Sequence, residues 1–70
     1  MDGPGRLRKA RVRAHKLLAE AKRERDSTGY RENLGYDQYQ ALEDYCNELC
    51  LSYTETSMIL GNFENTCDAL

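Results

Sequence analysis

The sequence predicts an all-α protein, a long basic N-terminal helix followed by a short three-helix unit. Three observations carry that expectation. Residues 6–26 contain neither Gly nor Pro and are rich in Ala, Leu, Arg, Lys and Glu, all good helix formers. Apolar residues recur at three-and-four spacing in each half of the chain, the period of a helix face rather than of a strand. The charges are also segregated. Positions 1–32 hold ten cations against five acids, a balance of +5, whereas positions 33–70 hold seven acids and no Lys or Arg, −7.

The elements follow in order. "MDGPG", residues 1–5, reads as a disordered leader because Gly and Pro dominate it. Residues 6–32 read as a basic amphipathic helix and its connector. Leu7, Ala10, Ala14, Leu17 and Ala21 form the seam of a heptad repeat, narrow enough for a partner helix to approach closely. That seam makes a homodimer through Leu7, Ala10, Ala14, Leu17 and Ala21 one expectation. Gly29 stops the helix, and "YRENLG" connects it to residues 33–70, an acidic helical unit.

Within that unit a helix is expected from Tyr36 or Asp37. Tyr39, Leu42, Cys46 and Leu49 lie on one face, and Glu43, Asp44, Asn47 and Glu48 on the other. The five tyrosines (30, 36, 39, 45 and 53) read as core residues with wet hydroxyl tips. Ser52 and Glu55 have capping-box spacing, which starts the next helix, and Thr56, Ile59 and Leu60 form its inner face. Gly61 is expected to break it. Asn62 then caps a fourth helix in which Phe63, Cys67 and Leu70 face inward.

Seventy residues allow one small domain with a thin core, since a chain of this size buries only about 60% of its unfolded surface. No apolar run approaches the roughly 20 residues that span a bilayer. The N-terminus interleaves Leu7, Val12, Leu17 and Leu18 with Arg and Lys, unlike a secretion signal. A cytoplasmic protein without membrane contact is the expectation. Cys46, Cys50 and Cys67 are an odd number, which argues against a disulfide framework. With His15 they are also the raw material of a Cys3His zinc site, but no CxxC knuckle accompanies them. The reading adopted is packing in a reduced core, with no metal and no cofactor.

Residues 51–70 carry a resemblance. Leu51-Ser52-Tyr53-x-Glu55, then Ile59-Leu60-Gly61, then Glu64-Asn65-Thr66 resembles the helix-turn-helix of bacterial sigma-factor C-terminal domains and LuxR-type regulators. Ser57 matches the small residue of the scaffold helix, Gly61 the turn, and Cys67 a buried small apolar position. The resemblance implies a helix-turn-helix-like unit that presents Glu64, Asn65 and Asp68 to DNA. The sequence departs from the pattern at Thr56, where Ile is usual, and at Phe63, where a polar cap often stands. It also lacks the Lys and Arg that normally follow. Asn can read adenine and Glu can accept from cytosine, but affinity comes from cations at phosphates, and this stretch has none.

The better anion-binding candidates are Arg6, Arg8, Lys9, Arg11, Arg13 and Lys16, a run of cations without an acid. The competing reading is a solvated helix face, or one neutralised by the acidic half. Catalysis is not expected: there is one His, no Gly-rich phosphate loop, and the carboxylates are scattered over polar faces. Two function classes remain. One is a small non-enzymatic regulatory protein associated with nucleic acid, DNA or RNA, in the manner of a transcription regulator, with affinity from the arginine-rich helix. The other is a protein-binding helical adaptor or inhibitor of the phage or accessory type, seated on an acidic protein surface and without nucleic-acid contact.

Overall fold

The computed structural model describes residues 3–29 and 33–70 and is all-α, with no strand among those residues. Three helices run α1 (Gly3–Thr28), α2 (Tyr36–Glu48) and α3 (Tyr53–Ala69). Each packs on both others. Arg6 near the start of α1 meets the end of α2, and Glu24 near its end meets Gln38 at the start of α2, so these two helices are antiparallel. Arg25 meets Leu70 just past α3, so α3 runs parallel to α1. The result is an up-down-up bundle 42 Å long and 17 Å wide, its length set by the 26 residues of α1.

α1 begins at Gly3, so residues 3–5 of the expected leader are helical. Proline is accepted in a first helical turn, where its missing N–H would have had no partner. Met1 and Asp2, and Tyr30, Arg31 and Glu32 of the connector, lie outside the described residues. The Leu7–Ala21 seam does form, but it faces inward. Ala10 and Ala21 are fully buried, Leu17 nearly so, and Leu7 and Ala14 pack against the same cluster. A dimer through this seam is therefore corrected: α2 and α3 cover it. A three-and-four repeat specifies an apolar face, not whose helix fills it. The alanines let α2 and α3 approach, and Leu42 and Cys46 from α2 with Ile59, Leu60, Phe63 and Cys67 from α3 complete the core.

Gly29 ends α1 as expected, at φ 72°, its N–H donating to the Arg25 carbonyl at 2.7 Å. α2 ends in a Schellman motif: the Cys50 N–H reaches Asn47 O at 3.0 Å and the Leu51 N–H reaches Cys46 O at 3.2 Å. Cys50 holds the left-handed position, φ 59°, that glycine usually fills. It is exposed, which removes it from the expected cysteine core, while Cys46 and Cys67 belong to that core. The capping box forms in full. Ser52 Oγ accepts from the Glu55 N–H at 3.1 Å, and Glu55 Oε1 accepts from the Ser52 N–H at 3.0 Å.

The main correction concerns Gly61. α3 passes through it without a break, so the expected turn and fourth helix are one helix with the third, and the acidic unit has two helices rather than three. Asn62 caps nothing; its carbonyl accepts from the Thr66 hydroxyl one turn on, at 2.8 Å. Ile59, Leu60, Phe63 and Cys67 make one inward stripe across the glycine. Burying Phe63 alone contributes about 1.5–3 kcal/mol, more than the ~1 kcal/mol by which a mid-helix glycine disfavours the helix. Two of the tyrosines are corrected too: Tyr36 and Tyr53 are 62% and 86% exposed, whereas Tyr39 packs against the core and Tyr45 is half-buried.

Candidate nucleic-acid interface

The cations of α1 divide by direction. Arg6 and Arg25, near its two ends, turn toward the bundle. Arg6 is half-buried, and its Nη1 donates to the Leu49 carbonyl at the C-terminal cap of α2 at 3.1 Å. Arg25 Nη1 donates to the Leu70 carbonyl at the cap of α3 and also pairs with Asp26 at 2.8 Å. A helix C-terminus carries unpaired carbonyls and partial negative charge, so a guanidinium there supplies both donors and the complementary sign. These two arginines are braces. Arg6, one of the expected anion-binding residues, is thereby removed from the exposed set; its Nε is buried without a partner, leaving none of that atom for a ligand.

Arg8, Lys9, Arg11 and Lys16 point outward and are exposed, and none makes a hydrogen bond or ion pair among the described residues. Arg13 lies over the Tyr45 ring of α2, 4.2 Å from its centroid. Such stacking fixes the guanidinium plane while its edge stays available to a second partner. Arg8, Lys9, Arg13 and Lys16 border one shallow depression with Val12 and Tyr45. Arg11 sits on the other flank, beside His15 and against α3 at Asn62 and Thr66. Five of the six expected residues therefore share the outer half of α1. Val12, 61% exposed, and Tyr45 belong to the same surface. Nothing in the linear sequence links Tyr45 to Arg13, since the contact crosses from α2 to α1.

The acidic half does not neutralise this face through ion pairs: the one salt bridge among the described residues, Arg25–Asp26, lies within α1. Glu64, Asn65 and Asp68 are exposed, as expected, but along the second half of a continuous α3. Glu64 and Asp68 border a cleft with Tyr36, Tyr39 and Phe63. The field there is negative. Burial raises the Cys67 thiol pKa first, and Asp68 and Glu64 raise it further; burial and then Glu43 do the same to Cys46. Both thiols stay protonated and unreactive at neutral pH. Cys46, Cys50 and Cys67 do not converge with His15, and no three His, Cys, Asp or Glu residues among those described gather at metal-binding distance.

No helix among the described residues is long and apolar enough to cross a membrane. No family model, curated protein or solved structure matches the chain.

Proposed function

We propose that the chain is a small, non-enzymatic, cytoplasmic regulatory protein that binds nucleic acid through the outer face of α1. One observation carries this reading: Arg8, Lys9, Arg11 and Lys16 are all exposed and unpaired, although the same chain holds twelve acids. A helix face evolved only for solubility usually mixes signs. The bundle behind α1 holds its cations on the outer half of the helix, Arg8, Lys9 and Lys16 on one flank and Arg11 on the other, without the ordering cost of a free peptide. Arg13, held flat by Tyr45, adds a planar donor edge suited to phosphate. The role proposed for α1 replaces that of a recognition helix at Glu64, Asn65 and Asp68, whose two carboxylates would repel a phosphate backbone.

Salt dependence tests it. With about four phosphates neutralised, the logarithm of the binding constant for duplex DNA falls against the logarithm of salt with a slope of about −3.6, so affinity drops about a hundredfold between 50 and 200 mM. A slope near zero would sink the proposal. The second reading, a protein-binding helical adaptor, is favoured by a different observation, the open groove flanked by Glu43 and Glu64 between α2 and α3.

A further inference from the structure

That groove has a volume of about 610 Å³ and is bordered by Tyr39, Glu43, Tyr53, Leu60, Gly61 and Glu64 among others. Since each helix packs on both others, it opens on the side of the bundle opposite the outer face of α1. Two features of it are unexplained by folding. The first is Gly61. It has ordinary helical φ, and a Cβ built there would meet no atom within 4 Å, so neither conformation nor packing inside the chain requires glycine. A glycine in mid-helix weakens the helix relative to alanine, and its usual compensation is the close approach of another group to the backbone. The second is the charge. The groove is rimmed by Glu43 and Glu64 in a half of the chain that contains no Lys or Arg.

The complement lies on the opposite side of the same molecule. Val12, 61% exposed, stands one helical turn from Arg8 and from Lys16, an apolar side chain between two cations. The groove offers the inverse pattern, a gap at Gly61 between two carboxylates. The geometry points to head-to-tail self-association, in which the outer face of α1 of one copy docks into the α2–α3 groove of the next, Val12 over Gly61 and the cations on Glu43 and Glu64. Such a contact is heterologous. Because its two surfaces lie on opposite sides of the bundle, successive copies add in one direction and the assembly stays open. It goes beyond the nucleic-acid reading but uses the same face of α1, so a polyanion competes with it and disperses the chains.

Sedimentation of the full chain tests this. At about 10 mM salt, where charges act over about 30 Å, the mean mass rises with concentration past twice the 8.1 kDa of one chain, without a plateau; at about 1 M salt, where the range is about 3 Å, it returns to one chain. Glu43→Gln combined with Gly61→Leu blocks the groove and weakens association at least tenfold, with helix content by circular dichroism unchanged. The exposed single change Glu64→Gln weakens it in the same direction without altering α3. Arg8→Gln with Lys16→Gln blocks the other surface. Each blocked variant alone stays monomeric, and their equimolar mixture stops at a dimer, because one intact contact remains. A wild-type chain that stays monomeric at low salt overturns the proposal, and so does a groove variant that assembles normally. The groove variant keeps its affinity for DNA within about twofold, so failure of self-association and failure of nucleic-acid binding are read separately.

Discussion

Gly35→Ala lowers the melting temperature of this protein by roughly 15–20 °C, the equivalent of about 3 kcal/mol in a domain of this size. Two independent effects add at this position. Gly35 sits at φ 80°, a left-handed conformation that costs an L-residue about 1–2 kcal/mol. It is also buried at the junction of all three helices. A Cβ there would lie 2.7 Å from Cys67 Sγ on α3 and 3.7 Å from the Ala21 Cβ on α1. Overpacking of this kind typically costs about 1–3 kcal/mol. Two controls separate the effects. Gly29 has φ 72° and nothing within 4 Å of a built Cβ, so Gly29→Ala shows the conformational cost alone, about 1 kcal/mol. Cys67→Ala combined with Gly35→Ala relieves the clash, and the double variant is less destabilised than the sum of the two singles. Thermal melts by circular dichroism read all four. A Gly35→Ala protein that melts within a few degrees of wild type would show that α3 does not press on the connector.

The second large effect is on binding. Replacing Arg8, Lys9, Arg11 and Lys16 together by Gln reduces affinity for duplex DNA at low salt by about 100- to 1,000-fold, and the salt slope falls to near −1. The net charge moves from −2 to −6 with the loss of four cations. Glutamine is a good helix former and all four side chains are exposed without partners, so stability changes by no more than about 0.5 kcal/mol. Arg6→Gln and Arg25→Gln behave in the opposite way. They remove the donors on Leu49 O and Leu70 O and lower the melting temperature, while the outward cations that bind are untouched. Fluorescence anisotropy and thermal melts on the same samples make the comparison. If the four-fold variant binds within two- to threefold of wild type, the affinity does not reside on α1.

Much of the fold is legible in the sequence because its determinants are local. The α1 seam follows from spacing, the start of α3 from the reciprocal hydrogen bonding of Ser52 and Glu55, and the end of α1 from Gly29. What is not legible depends on residues far apart in the chain. The seam does not state that α2 and α3 of the same chain would cover it. Gly61 reads as a turn by local rules, yet the inward stripe of Ile59, Leu60, Phe63 and Cys67 outweighs it once α1 and α2 supply the other wall. The connector glycine that matters is Gly35, and its partner Cys67 lies on the last helix. The candidate interface is legible as a run of charge, not as a direction. Arg6 and Arg8 look equivalent in sequence, but two positions along a helix place them about 200° apart, so one braces α2 and the other faces solvent.

Binding at the outer face of α1 is tested by a nuclear magnetic resonance titration of the labelled chain with a short DNA duplex. Amide and side-chain shifts are expected to concentrate at Arg8, Lys9, Arg11, Val12, Arg13, Lys16 and Tyr45, with Glu64, Asn65 and Asp68 unmoved. Shifts centred on Glu64, Asn65 and Asp68, with the α1 face silent, would contradict it.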